Sequence, residues 1–135
     1  MTIVNTIGIN MPDDFPVDAY NGVHDRLREY RSRNPAASAW LEYAAGWNAV
    51  AMRFKTMGDA DEQYIRQIIT AGRASLSHDE MQLQEECLYR FFMNGLSTIE
   101  SYCYAVFAIG ALLNSEKFPM STKKESRAID RSRQY

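Results

Sequence analysis

Residues 78–114, HDEMQLQEECLYRFFMNGLSTIESYCYAVFAIGALLN, decide the fold. No proline interrupts them. Just upstream, Ser77 and Glu80 stand three apart, the spacing at which a hydroxyl caps a helix and a carboxylate reaches back to the capping backbone. That signature predicts a helix start at residue 77 or 78. At 100° per residue, Leu88, Phe91, Phe92, Gly95, Ile99, Tyr102, Cys103, Val106, Ile109, Gly110 and Leu113 share a broad apolar arc. Glu86, Arg90, Asn94, Ser97, Thr98 and Ser101 fall on the opposite side. The pattern predicts one long amphipathic helix, from about His78 to Asn114, with its large apolar residues inward.

Upstream of it the helical pattern continues. Asp59 and Glu62 repeat the capping spacing ahead of Ile65, Ile68 and Ile69, which predicts a helix over 59–72 that opens after a break at Gly58. Asn34-Pro35 reads as a cap followed by a proline at the first helical position. It predicts a helix from there to about Met57 that buries Trp40, Tyr43, Trp47, Val50 and Phe54. Small residues beside those aromatics, Ala44, Ala45, Gly46 and Ala49, suit a close approach between helices. Asp14 and Pro16 open a further helix to about Asn34, with Tyr20, Val23, Leu27 and Tyr30 at spacings of three and four and a charged opposite face. Residues 1–15, weakly alternating at Ile3, Ile7 and Ile9, read as an extended arm. The prediction is an all-α, up-and-down bundle of four main helices with a long C-terminal core helix and a short N-terminal arm. Residues 1–118 form the single domain. After Phe118-Pro119 the apolar periodicity stops, so 119–135 reads as a basic, flexible tail.

The totals agree with this class. At 135 residues with 46% hydrophobic and 24% charged, the chain suits one globular core, and 4 Pro and 7 Gly enforce few breaks. The net charge of −2 leaves no strong footprint for nucleic acid, but it is uneven: residues 1–115 carry 9 Lys/Arg against 14 Asp/Glu, and 116–135 carry 6 against 3. Cys87 and Cys103 lie roughly 24 Å apart along one helix, out of disulfide reach, which together with the absence of a signal-peptide pattern in residues 1–11 points to a reduced, cytoplasmic protein. Residues 95–113 match a membrane span in length. Glu100 in their middle, at about 2.5–3.5 kcal/mol on insertion scales, and the hydroxyls of Ser97, Thr98 and Ser101 on one side favour a buried bundle helix instead.

Candidate chemistry is sparse. A carboxylate-bridged metal pair needs Glu three residues before His, and here Asn21 precedes His24 and Ser75 precedes His78, so no metal or cofactor is expected. No nucleophile elbow or glycine-rich phosphate loop occurs, and no small-molecule substrate is inferred. Cys103, between two tyrosines on an apolar helix, reads as inert core. Glu100, placed beside Met93, Leu96 and Phe107, reads as a buried carboxylate: either paired with Arg53 or Arg73, or held as a functional acid.

One spacing points to a family. Arg73-Ala-Ser-Leu-Ser-His78 is an Arg-x4-His at the junction of two helices in a small all-α chain, and it resembles the HEPN superfamily of helical bundles. The resemblance implies metal-independent RNA cleavage at a composite site between two copies, with Arg73 holding the scissile phosphate and His78 handling protons. HEPN nucleases commonly carry a polar residue directly after the arginine, where this chain has Ala74. Other members of the superfamily lack the site and act as binding or structural modules. The function expected is therefore a non-enzymatic interaction module. It would be a homodimer or bind a helical protein, because 16 aromatics and 7 Met exceed what so small a domain can bury. The alternatives are a ribonuclease using Arg73 and His78 on RNA, and a membrane-associated protein acting through 95–113 and the basic tail.

Overall fold

In the computed structural model, residues 2–4 (backbone only), 8–36, 38–72 and 74–120 are described. The order is β1 (Thr2–Val4), β2 (Ile9–Met11), α1 (Val17–Arg33), α2 (Trp40–Ala71) and α3 (His78–Leu113). The mostly helical class is as expected; the number of helices is not. Two of the four expected helices are one, and part of the arm is a small antiparallel hairpin that pairs Thr2 with Met11, Ile3 with Asn10 and Val4 with Ile9. The tail reading of 121–135 lies outside the described residues. Just before them Phe118 and Met120 are half-buried and pack against the core.

The expected break at Gly58 does not occur because local ion pairs carry the helix across it. Lys55 reaches Asp59 at 3.3 Å and Arg66 pairs with Glu62, so both acids serve i,i+4 bridges within α2 and neither caps a new helix. An interior glycine costs about 1 kcal/mol relative to alanine, which tertiary contact readily offsets. Here Pro12 packs 3.4 Å from where a Gly58 side chain would begin. The start of α2 is also later than expected. Asn34 caps the end of α1, its side-chain amide donating to the Tyr30 carbonyl at 3.0 Å, and so does not open the next helix. The chain then turns through Ala39, whose φ of 66° is left-handed, before α2 begins at Trp40.

The join between α2 and α3 is as the sequence predicts. Gly72, at φ 57°, ends α2 by donating its N–H to the Ile68 carbonyl. At the start of α3 the Glu80 N–H donates to Ser77 Oγ at 3.2 Å, and the Ser77 N–H donates to Glu80 Oε2 at 2.7 Å. The short connection makes α2 and α3 an antiparallel pair of 32 and 36 residues, about 48 and 54 Å long. They touch along their lengths: Gly46 lies against Ala105, Met57 against Gly95, and Arg90 donates to Gln63 at 3.1 Å.

α1 lies on the first half of α2 through aromatic residues. Tyr20 and Trp47 stack at 4.9 Å and exchange two hydrogen bonds, the Tyr20 hydroxyl to the Trp47 carbonyl (2.6 Å) and the Trp47 indole N–H to the Tyr20 carbonyl (3.2 Å). Each buried polar tip is thereby satisfied by the facing helix. The core is asymmetric. α2 supplies Tyr43, Trp47 and Val50, whereas α3 supplies Cys87, Ala105, Ala108, Ala111 and Leu112.

Candidate functional site: an exposed apolar stripe on α3

The orientation of α3 overturns the expected inward arc. Its inward face at the level of residues 94–101 is polar and small: Asn94, Thr98 and Ser101 are half-buried, and the Thr98 hydroxyl turns back onto the Asn94 carbonyl at 2.8 Å. Leu88, Phe92, Ile99, Tyr102, Val106 and Leu113, expected in the core, are exposed. The cause is helix spacing. Gly46 brings α2 so near that an added Cβ would stand 3.2 Å from the Ala105 backbone nitrogen, and only alanines and small polar side chains fit a contact that tight. The bulky residues are turned outward.

Those outward residues are regularly spaced. Positions 92, 99, 106 and 113 hold Phe, Ile, Val and Leu, with the exposed Leu88 and Tyr102 beside them; Gly95 faces Met57 on α2 and Ile109 packs on the core. The seven-residue repeat of Phe92, Ile99, Val106 and Leu113, flanked by Leu88 and Tyr102, forms an exposed seam with the spacing at which one helix packs along another. Phe92 and Ile99 are each 61% exposed, which is far from core-like for residues of that size. Near the C-terminal end, Phe118 folds back over Gly110 and meets Phe107 edge-on at 5.7 Å, covering part of the seam. The distal part of α2 is bare as well: Ile65, Ile68 and Ile69 continue the face that α1 covers earlier, and they are exposed.

The site residues expected from sequence fare unevenly. His78 is the first residue of α3, exposed, and no described side chain bonds to it; Arg73 lies outside the described residues. Glu100 is exposed, not buried. It stands two residues past Thr98, roughly 200° around the helix from the inward face, and no described cation lies within ion-pair distance of it, Arg53 included. Cys103, read as core, is exposed on the stripe side; the buried thiol is Cys87. Among the described residues no three His, Cys, Asp or Glu side chains are grouped to hold a metal ion.

Sequence reasoning missed a polar contact inside the aromatic core. His24 Nδ1 lies 3.0 Å from the Tyr43 hydroxyl, with the Trp40 ring 5.6 Å away and the Arg31 guanidinium 4.8 Å from the centre of that indole. Burial holds the His24 imidazole below its ordinary pKa, with the Arg28 charge acting in the same direction, and burial pushes the Tyr43 phenol up. Both are therefore neutral near pH 7, so the contact joins two uncharged groups. The i,i+4 pair of Tyr20 and His24 facing Tyr43 and Trp47 was the available signal, but it needed the crossing of α1 over α2 to be read.

Compared with known protein families, curated proteins and solved structures, the chain matches none. The likeness to HEPN bundles thus rests on the Arg73-to-His78 spacing and the helical context.

Proposed function

We propose that this protein is a non-enzymatic helical interaction module, a bundle of the HEPN kind without its chemistry, whose working surface is the apolar seam on α3. The observation that carries the reading is that seam: large apolar side chains at coiled-coil spacing that their own core leaves exposed. Six such side chains offering roughly 100 Å² each make on the order of 600 Å², at the upper limit of what an ordinary monomer leaves uncovered. Two free thiols suit a reducing, cytoplasmic setting. His78 stands without a described partner, and Ala74 follows Arg73, so the nuclease chemistry has little to build on.

The test is light scattering on the detergent-free chain and on Ile99→Asp. The module reading expects the wild type in a defined assembly, with itself or with a stoichiometric protein, and the variant dissociated with unchanged circular dichroism. A concentration-independent monomer with nothing bound overturns it.

A second reading, membrane association through 95–113 and the basic tail, has one observation in its favour: α3 is long and apolar enough to cross a bilayer, and only 22% of its most apolar window is buried. Against it stand the exposed Glu100 and the half-buried, polar Thr98 and Ser101. Release of the protein into the supernatant by a carbonate wash rules out insertion.

A further inference from the structure

We propose that the cleft at the turn of the α2–α3 hairpin binds a small, uncharged, planar ligand by an amide edge: a ring lactam or ring carboxamide that presents N–H beside C=O. The site lies between the last turns of α2 and the first turns of α3. It is separate from the seam and does not rest on the interaction reading.

The cleft has a volume of about 280 Å³. That is close to the lower end, about 300 Å³, of pockets that hold small molecules, and it has room for a single substituted ring. Ala71, Leu76 and Leu83 give it apolar walls, which suit the two faces of such a ring. The polar groups among them decide what its edge must offer.

The charged groups of the lining are already engaged. Arg66 pairs with Glu62 along α2, and Glu80 accepts the Ser77 N–H in the cap of α3 at 2.7 Å. One cation and one anion, each with a partner, select neither an anionic nor a cationic ligand. The Gln63 side-chain oxygen is taken too, by Arg90 at 3.1 Å. Two half-buried amides remain, Gln67 from α2 and Gln84 from α3. Gln67 Oε1 is shut off from water and receives no hydrogen bond from any described residue. A buried oxygen without a donor is rare in a folded chain and costly to keep, so a donor from outside the chain is what it lacks.

Rotation of the Gln67 amide about its soft last torsion brings that oxygen to the cleft with its own N–H groups beside it. A carboxamide carries acceptor and donor side by side, and its complement is another edge of the same kind. An alcohol or an ammonium group would engage the oxygen alone, and a carboxylate the N–H alone. A lactam or ring carboxamide engages both with no net charge, and the leucines that exclude water strengthen each bond.

The experiment is an NMR titration of the isotope-labelled full chain, detergent-free, following the side-chain amide signals of Gln67 and Gln84. The probes are uracil and nicotinamide, expected to bind with Kd on the order of 0.1–1 mM, as ligands of about ten heavy atoms allow. Dimethyluracil, with both N–H groups blocked, and benzoate, charged and without a donor, should each bind at least about 10-fold more weakly. Gln67→Leu should weaken uracil at least about 10-fold while its urea midpoint holds or rises, because leucine removes an unsatisfied oxygen and leaves none behind. Gln84→Leu, on the facing helix, should weaken uracil as well, and Arg66→Gln should leave its affinity unchanged. The proposal is overturned if neither probe shifts the amide signals up to about 10 mM, a concentration at which even millimolar binding saturates. Dimethyluracil or benzoate binding as well as uracil overturns it too, as does affinity that survives both glutamine variants or is lost in Arg66→Gln. A lower urea midpoint for Gln67→Leu shows the amide to be satisfied within the fold and removes the reason for the site.

Discussion

Placing a methyl group at Gly46 tests whether the tight α2–α3 contact is what turns the bulky face of α3 outward. In Gly46→Ala the new Cβ would stand 3.0 Å from Tyr104 Cδ1, 3.2 Å from the Ala105 Cβ and 3.2 Å from the Ala105 backbone nitrogen. The tyrosine ring can swing aside, but the backbone nitrogen and the alanine belong to a 36-residue helix and move only with it. Alanine gains about 1 kcal/mol over glycine in a helix interior, while overpacking a close contact costs about 1–3 kcal/mol. The expected net is a destabilisation of about 1 kcal/mol, rising to about 3 kcal/mol for Gly46→Val. Gly22 on α1 is the control, since a Cβ there meets nothing within 4 Å; Gly22→Ala should stabilise by about 1 kcal/mol. Urea unfolding followed by circular dichroism and by the fluorescence of Trp40 and Trp47 measures both. If Gly46→Ala stabilises as much as Gly22→Ala, the helices are farther apart than described and the argument for an outward-turned seam fails.

Ser77→Ala removes one half of the reciprocal cap at the start of α3 and should lower stability by about 1 kcal/mol in the same urea assay, with Ser77→Asp restoring most of it. Because the His24 pKa is lower in the folded chain than in the unfolded one, the unfolded chain binds the proton first. Stability should be full above the ordinary histidine value of about 6.5 and be lost as pH falls through the lowered one; denaturation midpoints between about pH 7.5 and 5 measure this, and His24→Gln should flatten the slope. A fluorogenic RNA incubated with purified protein should remain uncut. Cleavage that disappears in both Arg73→Ala and His78→Ala would restore the ribonuclease reading in place of the module.

Local chemistry was legible wherever a few neighbouring residues suffice. The Ser77–Glu80 cap, the glycine stop at residue 72 and the helix ending at Asn34 each involve groups within about one turn, so sequence order is spatial order. The misreadings have one physical cause. Asp59 resembled a cap until Lys55 claimed it, and Asn34 resembled the start of a helix until the Tyr30 carbonyl claimed its amide. A side chain with two possible local partners is assigned by whichever backbone path the rest of the fold makes compact.

By itself, the sequence determined that this chain is helical, where α3 begins, that its most apolar residues recur along one broad arc, and that an acidic body is followed by a basic end. Which arc of α3 faces inward was decided only by tertiary structure. Hydrophobicity ranks residues by their gain on leaving water, but contact distance ranks them by size. Where Gly46 sets the distance, Ala105 goes in while Phe92, Ile99 and Val106 stay out. Periodicity alone cannot register that choice, because it depends on an atom 59 residues away in the chain.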